Sequence, residues 1–230
     1  MIDFRFFLEI IPQLLAGLPL TLELAGTSIL LGFILALGLA LAQQGDRAIA
    51  TVPIRLFVAI FRGTPLLVQI FLIYYGMGQF RPFLKEAGLW WLFREPYWCA
   101  ILALTLNTGA YGSEILRGAI KNVPRGLPEA AKALGMSRLL TLRFIVLPLA
   151  FRQAIPAYGN EIILMVKGTS LASIITLMEV TGIAQGLISQ SYRAIEVFIA
   201  AGAIYLALNF AIVRGLNALE IRLTPYRSRA

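Results

Sequence analysis

Pro128-Glu129-Ala130-Ala131-Lys132-Ala133-Leu134-Gly135, followed by Ile145-Val146-Leu147-Pro148, stands inside the longest polar interval of an otherwise apolar chain, Arg117 to Pro156. That interval carries seven basic residues (Arg117, Lys121, Arg125, Lys132, Arg138, Arg143, Arg152) against the single acid Glu129. Pro124 and Pro128 interrupt any helix arriving from the N-terminal side. Pro128 suits the first position of a new helix, where an N–H would have no intrahelical acceptor anyway. Glu129 then falls in the first turn, where a carboxylate complements the helix dipole. Ala130, Ala131, Ala133 and Leu134 are small or apolar, and Gly135 is a natural stop. Ser137 can cap a second short helix, whose regular run is expected to end at Pro148. The pattern predicts two short helices joined at a glycine and lying across one surface, the first slim enough for a partner to approach closely. The basic charge taken alone fits equally a loop retained on the cytoplasmic side of a membrane.

Outside this interval the chain reads as membrane helix. Its 230 residues are 59% hydrophobic and 14% charged, where a soluble domain carries about 25% charged residues. Apolar stretches fall at about 10–42, 53–80, 97–116, 157–181 and 195–219. Each is long enough for the roughly 20 apolar residues that cross a bilayer. Gly45-Asp46 ends the first. Pro65, after Gly63-Thr64, should bend or restart the second. Trp90, Trp91 and Trp98 flank the connection at 81–96, as expected at a membrane–water interface. The fold expected is all-α, a polytopic membrane protein of five transmembrane helices within one domain, residues 10–222, carrying a cytoplasmic loop at 117–156.

Charge sets the orientation. The formal net charge is +8, and in a membrane chain that surplus marks topology rather than affinity for nucleic acid. The loop at 117–156, the connection at 43–52 and the tail with Arg222, Arg227 and Arg229 share one side and hold most of the basic residues between segments. The N-terminus, residues 81–96 and residues 182–194 share the other, where the charges nearly balance. The positive-inside rule places the N-terminus outside and the C-terminus in the cytoplasm. The N-terminus lacks the basic region and small-residue cleavage site of a secretory signal and is read as mature from Met1. With one cysteine, Cys99, and no histidine, the chain has no internal disulfide, no His-based catalysis and no His metal site, and is not expected to be an enzyme.

The ordered pattern Glu-Ala-Ala, three residues, Gly, nine residues, Ile, one residue, Leu-Pro at 129–148 resembles the EAA loop of ATP-binding-cassette import permeases. Further motifs are similar to the polar amino acid permeases: Phe61-Arg62-Gly63-Thr64-Pro65-Leu66-Leu67-Val68-Gln69, Leu106-Asn107-Thr108-Gly109-Ala110-Tyr111 with Glu114-Ile115, and Asn160-Glu161-Ile162-Ile163-Leu164 with Lys167-Gly168-Thr169-Ser170-Leu171. The likeness covers about residues 15–222. It is nearest the M-type permease subunits for histidine, lysine, arginine and ornithine and for the opines octopine and nopaline.

The resemblance implies a type I importer permease of the bacterial inner membrane. Its partners would be ATPase subunits that hold the ATP and Mg, a soluble substrate-binding protein, membrane lipid, and a second permease subunit, a paralogue rather than a second copy. This chain lacks the GxxxxGK[ST] phosphate loop and needs no cofactor of its own. Glu129, Ala130, Ala131, Leu134 and Gly135 would couple it to the ATPase. Intramembrane polar groups mark solute pathways, and here the candidates are Glu161, Lys167, Thr169, Ser170, Asn107 and Thr64. Glu161 and Lys167 could instead pair or snorkel, Glu114 could simply pair with Arg117, and the Gly63-Thr64-Pro65 bend could only shape packing. Many chains resembling this one carry an acid where Gly168 stands, so a cationic solute would meet that carboxylate on the second permease. The competing reading is a membrane channel or scaffold whose basic loop binds lipid or a non-ATPase partner.

Overall fold

The computed structural model describes residues 4–45 and 48–223, and Asp46, Arg227 and Arg229 lie outside that range. No strand occurs among the described residues. The apolar run expected as one helix over 10–42 is two: α1 (Phe4–Leu15) and α2 (Leu18–Ala42). The chain turns at Gly17, whose Cα lies so close to the Glu179–Val180 backbone that an added Cβ would come within 2.6 Å of it. α1 swings away to bury Ile10 and Leu14 with Val180, Ala184 and Val197.

α3 (Ala48–Gly63) and α4 (Leu66–Phe71), the latter widening into an i→i+5 turn at Leu72–Gly76, meet at a 108° bend. Pro65 makes that bend as expected, with its ψ at 136° in the extended region. The connection at 81–96 contains two short helices, α5 (Arg81–Glu86) and α6 (Trp90–Arg94). Arg81 lies over the Trp90 ring and Trp91 meets Trp98 edge to face.

α7 (Pro96–Lys121) is the central element, with fourteen of its 26 residues buried. It packs against α2 more extensively than any other pair of helices packs. The cause is a stripe of small residues on α2, Ser28, Gly32, Ala36 and Ala40, each one turn from the next and all buried. Small side chains let backbones approach where lipid offers no hydrophobic drive between helices. A Cβ on Gly32 would lie 1.8 Å from Thr108 Cγ2, and one on Gly112 of α7 would lie 3.0 Å from Ala36 Cβ.

α8 (Gly126–Ala133) begins two residues before Pro128, so that proline stands inside the first turn rather than opening it. α9 (Arg138–Thr141) continues through a wide turn, Leu142–Val146, into α10 (Leu147–Gly168) and a tight turn, Thr169–Ile175, as one helix over Arg138–Ile175. The expected stop at Pro148 therefore does not occur. The Leu147 N–H reaches back five residues to the Leu142 carbonyl. That loosened turn accommodates the proline ring, which would clash with the carbonyl four residues earlier in a tight helix. The second short helix is thus the end of a long one, not a segment lying across the surface. Residues 182–194, expected as a connection, lie largely in α11 (Val180–Ser191), ahead of α12 (Ala194–Leu223).

By length and apolarity Leu18–Ala42, Arg138–Ile175 and Ala194–Arg222 can each cross a membrane, and the bent pair Thr51–Gly63 with Leu66–Gly76 makes a fourth. α7 is long enough, at about 39 Å, but carries Asn107, Thr108, Ser113, Glu114 and Arg117. Its neighbours bury most of these. The bundle meanwhile exposes Leu30, Ile34, Leu206 and Phe210, an outer surface suited to lipid.

Gly32→Val should overpack the α2–α7 contact at a cost of about 1–3 kcal/mol, read as a lower Tm of the purified protein in detergent. Gly38→Val is the control, since a Cβ there meets nothing within 4 Å and should leave Tm nearly unchanged.

Candidate functional site

Two regions carry the functional candidates. The first is α8 at the basic end of the bundle. Its C-terminus closes with two backbone bonds, Met136 N–H to the Ala131 carbonyl (3.0 Å) and Gly135 N–H to the Lys132 carbonyl (3.0 Å). This closure requires a left-handed residue at Gly135, whose φ is +79°. Ser137 then caps the next helix, its hydroxyl accepting from the Leu140 N–H at 3.3 Å, as its position in the sequence predicts. Ala131 is buried and holds α8 to the bundle, whereas Glu129, Ala130, Leu134 and Gly135 are exposed. Leu134 is 84% exposed, a large apolar side chain presented beside charged neighbours. Between α8 and the bundle lies a cavity of about 620 Å³, edged by Lys121, Arg125, Lys132 and Arg138.

The second region is built by the bend at Pro65. Breaking a helix leaves backbone groups without partners, and in a membrane those must be satisfied from within the protein. Gln69 does so here. Its amide donates to the Phe61 carbonyl (2.8 Å), the Thr64 carbonyl (3.1 Å) and the Thr64 hydroxyl (2.9 Å). Asn107 of α7 donates to Gln69 Oε1 at 3.0 Å and to the Phe61 carbonyl at 3.4 Å. Beside this network a cavity of about 270 Å³ is lined by Thr64, Asn107, Tyr111 and Glu161, with Leu164 and Met165. Glu161 is buried, and Thr108 Oγ1 donates to its Oε1 at 2.9 Å.

Thr64, Asn107 and Glu161 therefore share one polar cavity. The structure does not bring Lys167, Thr169 and Ser170 to it. Lys167 is exposed. The Thr169 and Ser170 hydroxyls donate to the carbonyls three residues back, of Val166 and Lys167, at 2.8 and 2.7 Å. Glu114 pairs with Arg117, Nε to Oε1 at 2.8 Å.

Two further features escaped the sequence reading. Gln69 ends the Phe61–Gln69 motif, but only the bend shows its task. Glu179, fully buried, caps α11 through the Gly182 N–H (2.9 Å) and accepts from the Tyr205 hydroxyl (2.6 Å) and the Thr21 hydroxyl (3.4 Å). Glutamate is not among the residues preferred at an N-cap, so the sequence carries only a faint local sign of this role. The partners of Glu179 on α2 and α12 are not local and leave no such trace.

The fold and these two regions define a polytopic helical transport subunit of the membrane, with a polar cavity among its helices and a short exposed helix at one end. Residues 28–225 match the family described as "Binding-protein-dependent transport system inner membrane component", and the chain belongs to that family. It is 53% identical to the nopaline transport system permease protein NocM of Agrobacterium fabrum (strain C58), over 97% of this chain and 93% of that one. It is 43% identical to the arginine ABC transporter permease protein ArtM of Escherichia coli (strain K12), over 96% and 97%. The crystal structure of an amino acid ABC transporter with histidines aligns with a TM-score of 0.86 at 31% identity, covering 96% of this chain and 99% of that one. The MetNI methionine ABC transporter in an inward-facing form shares the fold, with a TM-score of 0.72 at 20% identity over 92% and 96%. The chain is a permease subunit of an ABC importer and a multi-pass protein of the inner membrane, which favours transport over the channel or scaffold reading.

Replacing Gln69 by Leu removes the 2.8 Å donor to the Phe61 carbonyl, both bonds to Thr64 and the 3.0 Å acceptor of Asn107, leaving only the 3.4 Å bond from Asn107 to Phe61. An unsatisfied buried polar group costs about 1–3 kcal/mol. Gln69→Leu should therefore lower Tm in detergent and speed tryptic cleavage after Arg62, as followed by gel.

Proposed function

We propose that this subunit carries a basic amino acid or an opine inward, driven by ATP hydrolysis in a partner ATPase. The carrying observation is the likeness, over nearly the whole chain, to permeases whose names specify nopaline, octopine and arginine transport. The cavity at the bend supports it. The buried Glu161 carboxylate suits a guanidinium or ammonium group, and the Asn107 and Thr64 polar groups stand beside it.

The basic end of the bundle faces the cytoplasm under the positive-inside rule. α7 then crosses the membrane as a fifth span, its polar face covered by α2, α3, α4 and α10. The ATPase pair holds ATP and Mg and seats α8 in a groove, with Leu134 as its apolar anchor and Glu129, Ala130 and Gly135 on the contact surface. A soluble binding protein delivers solute to the opposite face. Five helices are too few to enclose an amino acid. A second permease subunit, a paralogue rather than a second copy, closes the pathway and supplies the carboxylate that Gly168 does not. ATP binding draws the ATPase pair together, α8 moves with it, and the helices switch from outward to inward access.

The test is ATPase activity of the reconstituted complex with binding protein, adding arginine, histidine, octopine and nopaline in turn. One of these should stimulate hydrolysis in the wild type. Gly135→Asp should insert normally yet lose the stimulation. A Cβ at Gly135 meets nothing within this chain, so the internal cost is left-handed strain of about 1–2 kcal/mol. Loss of stimulation therefore reports the partner's surface. Normal stimulation in Gly135→Asp, or no complex with an ATPase, would overturn the assignment of α8.

A further inference from the structure

A second polar cavity, of about 360 Å³, adjoins the one at the bend toward the basic end. Its charged walls are Arg55 and Arg62 of α3 and Glu114 and Arg117 of α7, with Gln43 at the end of α2. Three guanidinium groups thus face one carboxylate. Glu114 satisfies Arg117, but Arg62 Nη1 stands 3.9 Å from Glu114 Oε2, and Arg55 has no ion-pair partner among the described residues. Two cations are left without full compensation, both with exposed side chains at the open cavity.

Tyr111 joins the two cavities. It lines the cavity at the bend, its ring lies 5.2 Å from the Arg62 guanidinium, and its hydroxyl donates to the Arg62 carbonyl at 3.3 Å. Asn107, Tyr111 and Glu114 are spaced four and three residues apart, on one face of α7. Along that face the available charge changes sign, from the Glu161 carboxylate in the first cavity to the guanidinium groups in the second. An amino acid carries both complements, a cationic end and a carboxylate.

We propose that the cavity walled by Arg55, Arg62 and Arg117 is a carboxylate site at the inner mouth of the pathway, occupied by the carboxylate of the departing solute, with Glu114 as the internal anion it displaces. The proposal rests on the importer reading. Guanidinium forks match carboxylates and phosphates in planar, bidentate geometry. Glu114 already occupies part of the site, so the solute is held weakly enough to leave, as passage requires. A phosphate, free or on a lipid, offers the same chemistry and must be separated by experiment.

The experiment uses the assembled complex in phosphatidylcholine nanodiscs, without binding protein. Radiolabelled arginine or octopine, whichever stimulates the ATPase, is compared with agmatine, which keeps the guanidinium chain but lacks the carboxylate. The carboxylate ligand should bind the wild type. Arg55→Gln should weaken it by about tenfold, the scale of one charge-assisted hydrogen bond, and leave agmatine unchanged. Absence of carboxylate-ligand binding in the wild type, equal weakening of both ligands, or no weakening would overturn the proposal. So would a dependence on Arg55 seen only for inorganic phosphate, or only when phosphatidylglycerol is added. ATPase stimulation, measured on the same complex once binding protein is added, separates the failures. Wild type without stimulation sinks the importer reading itself, whereas stimulation with unchanged binding in Arg55→Gln sinks the carboxylate site alone.

Discussion

The contact between α2 and α7 sets where every other helix can lie. α7 is too polar to face lipid, and the bilayer tolerates its side chains only if protein surrounds them. The small-residue stripe Ser28, Gly32, Ala36 and Ala40 covers one flank at a spacing that larger side chains would forbid. α10 and the bent pair α3–α4 cover others and bring Glu161, Thr64 and Gln69 to the polar face of α7. The cavity at the bend is what remains where these helices cannot close completely.

The irregular points of the backbone follow the same constraint. Each break in a helix frees donors and acceptors, and each is answered elsewhere in the chain or by a change in the turn itself. Gln69 and Asn107 answer the break at Pro65. Glu179 answers the break before α11 and, through Tyr205 and Thr21, fastens three separated parts of the chain at one point. Pro148 is answered by the loosened turn that precedes it. Charged and amide side chains within the apolar core are here in part repairs to the backbone.

The helical class, the apolar segments, the bend at Pro65 and the cap at Ser137 are local matters and were readable from residue order. The pathway candidates divided according to geometry that no spacing encodes. Thr64, Asn107 and Glu161 come together because three different helices pack, while Thr169 and Ser170 turn their hydroxyls onto their own backbone. The break at Gly17 was hidden because an uninterrupted apolar run gives no local reason to turn. Its reason is the Glu179–Val180 backbone, more than 150 residues away in sequence. The stop expected at Pro148 failed for the opposite reason, since a helix can absorb a proline by widening a turn, and the residues that do so carry no distinctive signature.

The unbroken helix over Arg138–Ile175 gives the molecule a mechanical property. From Ser137, beside the exposed α8, to Glu161 at the cavity, the chain climbs about 35 Å at the rise of an α-helix. A rod of that length acts as a lever, and tilting it by about 5° about one end sweeps the other through about 3 Å, roughly the reach of one hydrogen bond. The widened turn at Leu142–Val146 lies near the α8 end of the rod, so any bend there swings the whole length up to Glu161. A tilt of a few degrees at the α8 end is in this way geometrically sufficient to shift the contacts of a single buried carboxylate far up the bundle.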